Sequence, residues 1–256
     1  MAVNANKSGS RLLAVVEQIA RSQPVGSRQL ARIMEMEKSA VQRAVTTLAQ
    51  AGWIQPASNA ANGWELSARV LHVAHMAHGR NSLRQRARPV LESLRDATGE
   101  TAYLAISDLD GFVVIEVAES HQSLRTVVPL GSIITTDDKA TVDAVLPYLT
   151  PEQREELTGE VSAERLRAVW RNAREIGYSI AKDAHDENSI TIAAPILGGN
   201  GEAIAVISVR AVRARTTAEQ QKEIGKLLVE KQHELSASGR GELQPADLRR
   251  AIGGFG

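Results

Sequence analysis

Lys38-Ser39-Ala40-Val41-Gln42-Arg43-Ala44-Val45-Thr46-Thr47-Leu48-Ala49-Gln50-Ala51-Gly52-Trp53-Ile54 is the stretch that decides the fold of the N-terminal part. Val41, Ala44, Val45 and Leu48 recur at i, i+3, i+4 and i+7, the spacing of one buried helix face, which predicts a helix over about 38–51. Gly52 stands where such a helix stops. The other face carries Lys38, Ser39, Gln42, Arg43, Thr46 and Thr47, and there is no acid from 38 to 51. An ordinary solvated face mixes charge signs. This one offers Lys38 and Arg43 to phosphate, Gln42 and Arg43 to base edges, and small hydroxyls that permit close approach.

Upstream, Leu12, Val15, Val16 and Ile19 predict a first helix over about 9–22, with Ser8 or Ser10 as cap. Gln23-Pro24-Val25-Gly26 breaks the pattern. A second helix over about 27–35, capped by Ser27, buries Leu30, Ile33 and Met34. Two short helices joined by a turn, the second polar and basic at its start, are a helix-turn-helix. Downstream, Trp53-Ile54-Gln55-Pro56 and Trp64-Glu65-Leu66-Ser67 flank an Asn/Gly/Ser-rich turn and predict a β-hairpin, the wing of the winged variant. Trp53 and Trp64 are expected to pack that hairpin onto the helices rather than stack on bases.

The charge balance agrees. The 256 residues carry 30 Lys and Arg against 30 Asp and Glu. Residues 1–95 hold 13 of the bases and 5 of the acids, a net of +8, which leaves −8 on the remainder. That polarisation points to a polyanion-binding front end on an acidic body. The absence of cysteine excludes disulfides, thiolate metal sites and a cysteine nucleophile. With 43% hydrophobic residues and only 3% aromatic, the cores must be built from Leu, Ile, Val and Ala. No apolar run approaches the ~18 residues of a membrane span, and Met1 to Arg11 lacks an apolar signal segment. The expectation is a soluble cytoplasmic protein without a membrane partner.

Residues 67–97 read as charged helices with a break near Gly79. Beyond them Ala102–Ser107 and Phe112–Val117 flank an Asp-Gly turn. Leu124–Leu130 is a further candidate strand, and Ile190–Leu197 and Ala203–Val209 form a second hairpin. Helices are expected over 140–149, 163–176 and 217–235. Antiparallel hairpins with helices on the sheet make an α+β domain. Catalytic motifs are lacking: there is no Gly-x-Ser-x-Gly elbow, phosphate loop or dinucleotide fingerprint. Asp137-Asp138 and Glu155-Glu156 have no partnered base and are assigned to helix starts or the surface. His72, His75 and His78 recur every three residues on a helix. Without further ligands they read as linker-helix surface rather than a metal site.

Several segments resemble the IclR-type transcriptional regulators: Ser10-Arg11-Leu12-Leu13, Lys38 to Arg43, Gly52-Trp53-Ile54, Trp64-Glu65-Leu66, Arg86 to Leu91, Thr98-Gly99-Glu100-Thr101, Ile176-Gly177-Tyr178 and Ile192 to Ile196. The resemblance spans about residues 8–236. It implies a winged helix-turn-helix (1–66), linker helices (67–97), a GAF-like antiparallel-sheet effector domain (98–236) and a tail (237–256) that reads as mobile. It also implies a small-molecule pocket on one side of the sheet. Asp138-Lys139-Ala140 and Asp183 to Asn188 depart from the family's pattern there.

The combined reading is a regulator, not an enzyme, with no cofactor or metal. Double-stranded operator DNA and an unidentified small-molecule effector are its partners, and it acts as a homodimer or tetramer. Arg28, Lys38 and Arg43 are the candidates for anchoring phosphates; Ser39, Gln42 and Thr46 for approaching base edges; and Asn59 and Asn62 for touching the backbone or minor groove. Thr191 and Ser208, hydroxyls on strands that should be buried, and Thr135 and Thr136 are the candidate effector contacts. The rivals are an enzyme or metabolite-binding protein whose N-terminal helices only dimerise, and an architectural nucleic-acid binder.

Overall fold

The computed structural model describes residues 6–58, 63–77, 83–108, 111–159 and 162–238. The chain divides into two compact units between Arg80 and Asn81.

In the first unit, α1 (Lys7–Ser22), α2 (Ser27–Ile33) and α3 (Lys38–Gln50) precede the hairpin of β1 (Ile54–Pro56) and β2 (Trp64–Leu66), and α4 (Arg69–Ala77) follows. Val15, Ile19, Leu30, Val41, Val45 and Leu48 form one buried cluster, against which Trp53 and Trp64 pack. The tryptophans therefore hold the wing to the helices. Val25 pairs with Trp64 through the backbone, which fixes the hairpin's base. Two cap assignments are corrected. Asn6, not Ser8 or Ser10, caps α1, accepting from the backbone N–H of Ser8 and Gly9. Gly26 occupies the cap position of α2 and Ser27 is its first helical residue. Gly52, at φ +76°, ends α3 as expected, in the left-handed region that glycine enters at no cost.

The second unit is a six-stranded antiparallel sheet among the described residues, in the order β5-β4-β3-β8-β7-β6. Its strands are β3 (Thr101–Asp108), β4 (Gly111–Ala118), β5 (Ile133–Ile134), β6 (Ser179–Lys182), β7 (Ser189–Leu197) and β8 (Ala203–Val212). Its helices are α5 (Leu83–Thr98), α6 (Lys139–Val145), α7 (Pro151–Thr158), α8 (Ala163–Glu175) and α9 (Ala218–Ser238). Strand alternation sorts the core into two layers. Leu104, Ile192, Ile207 and Val209 pack with Leu91 and Leu94 of α5 and Leu228 of α9. Tyr103, Ala105, Ala193 and Val206 pack on the opposite side with Val142 and Val145 of α6. Thus α5, grouped with the linker by sequence, is buried into the second unit.

Leu124–Leu130 is not a strand. Its backbone is held from the side: the Thr101 hydroxyl donates to the Thr126 carbonyl, and the Thr126 hydroxyl donates to the Arg210 carbonyl, each at 2.8 Å. These bonds take the place of a ladder. The edge strand is instead the short β5, which approaches Gly111 so closely that a Cβ there would meet the Ile134 carbonyl. The tail from 239 onward and the wing tip at 59–62 lie outside the described residues.

Candidate functional site

Two surfaces carry the chemistry, one in each unit. On α3, Ala40, Val41, Ala44, Val45 and Leu48 are buried, whereas Lys38, Ser39, Gln42, Arg43, Thr46 and Thr47 are all exposed. The helix is thus split as its sequence period requires. Thr47 satisfies its hydroxyl on the Arg43 carbonyl, which leaves Gln42, Arg43 and Thr46 projecting from a 13-residue helix whose first turn holds no acid. Arg28 is exposed on α2. Asn59 and Asn62 fall outside the described residues. Backbone N–H groups at the start of α3 add partial positive charge to Lys38 and Ser39, an arrangement that favours phosphate.

In the second unit a cleft of about 420 Å³ opens beside the end of β8. Its floor is built by register. Arg210 lies opposite Thr191 on β7, and Ser208 lies opposite Tyr103 on β3 and Ala193 on β7. Alternation therefore puts Tyr103, Thr191, Ser208 and Arg210 on the face that α6 covers. The Arg210 guanidinium is held from three sides. Its Nη2 lies 2.9 Å from Asp138 Oδ2 and 3.0 Å from Asp183 Oδ2, and its Nε donates to Thr191 Oγ1 at 3.3 Å. It also lies over the Tyr103 ring, 5.7 Å from the centroid. Burial works against the charge, but the attraction of Tyr103, Asp183 and Asp138 outweighs it, and the arginine's pKa lies above its ordinary value.

Both carboxylates are fixed by backbone donors. Asp138 caps α6 by accepting from Thr141 N–H, and Asp183 closes a turn by accepting from His185 and Asp186 N–H. Asp138 thus starts a helix, as its sequence position suggested, and also serves the cleft. Glu155 and Glu156 are exposed on α7.

Under Arg210, Tyr103 Oη, Ser208 Oγ and Thr141 Oγ1 are buried beside one another with no well-formed hydrogen bond. Burial, with the Asp138 charge, pushes the Tyr103 phenol above its usual pKa, and Arg210, Ser208 and Thr141 only partly oppose this. A hydroxyl without a good partner adds little to stability. Tyr103→Phe is expected to change the unfolding free energy by less than about 1 kcal/mol at pH 7. It is also expected to flatten the alkaline limb. A raised phenol pKa contributes stability that is present below the unfolded value of ~10 and is lost as pH rises through the folded value. Denaturant titrations between pH 7 and 11 on both proteins check this.

Of the four proposed effector contacts, Thr135 lines the cleft, Thr191 holds Arg210, Ser208 lies buried below it, and Thr136 is exposed away from the lining. Sequence reasoning missed Arg210 and passed over Asp138 and Asp183 as cleft residues. The available signal was Arg210 itself, the single charged residue of Ala203–Val212, a strand apolar apart from it and Ser208. No group of three His, Asp or Glu side chains among the described residues is placed to hold a metal. His72 is exposed on α4, and His78 lies outside the described residues.

A winged helix with an acid-free reading face, joined to an antiparallel-sheet unit with a polar cleft, defines a DNA-binding transcriptional regulator. The model of the bacterial transcriptional regulator IclR C-terminal region matches residues 74–237, and that of the MarR family matches residues 11–61. The chain belongs to the IclR family. It is 27% identical over 237 residues to the HTH-type transcriptional regulator BhcR of Paracoccus denitrificans, covering 88% of this chain and 85% of that protein. The IclR transcriptional regulator of Alicyclobacillus acidocaldarius has a similar fold, with a TM-score of 0.77 at 18% identity over 91% of this chain and 99% of that one. So does an IclR homolog of Microbacterium hydrocarbonoxydans complexed with 4-hydroxybenzoate, with a TM-score of 0.74 at 19% identity over 91% of this chain and 100% of that one.

Proposed function

We propose that this regulator reads a two-half-site operator as a homodimer and that a small molecule in the Arg210 cleft changes its affinity for that operator. Lys38, Arg43 and Arg28 anchor phosphates, while Ser39, Gln42 and Thr46 face base edges; Asn59 and Asn62 serve the wing. The observation that carries this reading is the exposed, acid-free face of α3. Two copies supply what one 13-residue helix does not, since paired half-sites multiply contacts. Leu13 on α1 and Leu71 and Met76 on α4 are exposed apolar side chains that suit self-association. Ligand control requires only that the ligand bind two geometries of the dimer unequally. The mixed polar and apolar cleft, and the 4-hydroxybenzoate complex of the Microbacterium protein, support a small organic effector. No catalytic constellation competes for that role among the described residues, and the protein acts in the cytoplasm without catalysing a reaction.

Selection from a randomised duplex pool, followed by binding across a salt series, tests the reading. An inverted repeat and a steep negative salt slope are expected. Affinity without half-site spacing would indicate an architectural binder. No binding tighter than about 10⁻⁴ M at low salt would remove DNA reading altogether. On the selected site, Arg43→Ala is expected to weaken binding by about 1–3 kcal/mol if its guanidinium grips a base edge. A uniform loss across sequences, with a salt slope shallower by about one, would place Arg43 on phosphate. Unchanged affinity would take it off the surface.

A further inference from the structure

The cleft is charged in an unusual way for a site floored by arginine. Arg210 and Arg125 line it, but so do Asp138, Asp183 and Asp186, an excess of one negative charge with His185 counted neutral. Arg210 is already compensated, because two carboxylates lie within 3.0 Å of a single guanidinium nitrogen. Arg125 faces Glu119 at 3.7 Å, which further reduces the positive charge offered to a ligand. An incoming carboxylate would be the third around Arg210, in a place where both existing ones are only 9% exposed and charges are poorly screened. A cation meets the opposite situation, since each aspartate oxygen on Arg210 retains lone-pair capacity.

A second feature lies at the cleft's mouth. Val127 and Ile133 line it with exposed apolar side chains, although Val128 and Ile134 beside them are buried. A cavity with surplus negative charge beside an uncovered hydrocarbon edge suits one chemical class.

We infer that the cleft selects a small organic cation, an ammonium- or amidinium-bearing molecule with a short apolar segment. Its charged end lies against Asp183 and Asp186, and its hydrocarbon lies against Val127 and Ile133. This rests on the reading of the cleft as the effector site. It also sets this chain apart from the relative that holds the aromatic acid 4-hydroxybenzoate.

Thermal unfolding of the full chain at pH 8 in butylammonium, butyrate, 1-butanol or 4-hydroxybenzoate, at matched ionic strength, tests it. Butylammonium is expected to raise Tm saturably, as a ligand of the native state must, while the isosteric acid and alcohol do not. Asp186→Asn, at an exposed position, is expected to remove most of that shift. Asp183→Asn combined with Asp186→Asn turns the surplus from −1 to +1 and is expected to reverse the preference toward butyrate. Greater stabilisation of the unsubstituted protein by either acid, or no saturable response to butylammonium, overturns the inference. Binding of an acid that also shifts operator affinity would sink the cation assignment and leave ligand control standing. A butylammonium response with unchanged operator affinity would do the reverse.

Discussion

Arg210→Met is expected to destabilise the second unit by about 3–5 kcal/mol, the cost of removing one partner from a buried ionic cluster. Methionine fills much of the space of the arginine stem, so the loss is mainly electrostatic rather than a cavity. What remains is Asp138 and Asp183, both side chains 9% exposed, brought together by a cation no longer present. The carboxylates cannot simply turn away. Asp138 is tied to Thr141 N–H at the start of α6, and Asp183 to the turn at 185–186. Adding Asp183→Asn to Arg210→Met is expected to restore part of the stability at neutral pH, because it removes one of the stranded charges. Urea titration at pH 7 on the single and double variants measures both the loss and its partial recovery. A loss below about 1 kcal/mol at pH 7 would show that water reaches the cluster and screens it.

Arg210 also shows where sequence reading runs out. Helix α3 was legible because its two faces differ in residue type at a fixed period, and burial follows that period residue by residue. The hairpin of Ile190–Leu197 and Ala203–Val209 was legible for a different reason, as two apolar runs flanking the Gly-rich turn at 198–202. Pairing of Arg210 with Thr191 and of Ser208 with Tyr103 depends on strand order and register, which lie in partners more than ten residues away in sequence. Pattern therefore found two residues of the buried layer around Arg210, Thr191 and Ser208, by their polarity in apolar strands. It could not find the aspartates, since Asp138 and Asp183 are ordinary loop residues until the fold brings them to one guanidinium. The same limit explains the elements overlooked. Helix α7 has no buried residue and hence no apolar stripe, while β6 is four residues long with alternate exposure. Leu124–Leu130 misled in the opposite sense, since its apolar side chains are in part exposed at the cleft mouth rather than laid on the sheet.

Leu91→Ala is expected to cost about 2–5 kcal/mol, and its outcome decides what kind of helix α5 is. By sequence α5 belongs to a charged connector, and a connector's Leu→Ala change at a half-wet position would cost well under 1 kcal/mol. In the structure Leu91 is fully buried, among Ala87, Val90 and Leu94 of its own helix and Leu104, Ile192, Ile207 and Leu228 of the sheet and α9. Truncation there leaves a cavity between helix and sheet that neither close-packed layer can readily fill. The charged residues that made α5 look like a connector are divided: Arg84 reaches Glu116 of β4 at 2.8 Å, while others turn to solvent. Arg88 pairs with Glu92 one turn on, and both are largely exposed. The loss should appear in the transition of residues 83–238, followed by hydrogen exchange, with protection of α1–α3 unchanged because additivity holds for separate cores. A full-size loss makes α5 a rigid part of the sheet unit, so that a ligand-driven shift of β3 or β8 reaches the chain near residue 83 without being absorbed in a flexible joint. A loss below about 1 kcal/mol would free α5 to act as a hinge, and ligand control would then require a different path.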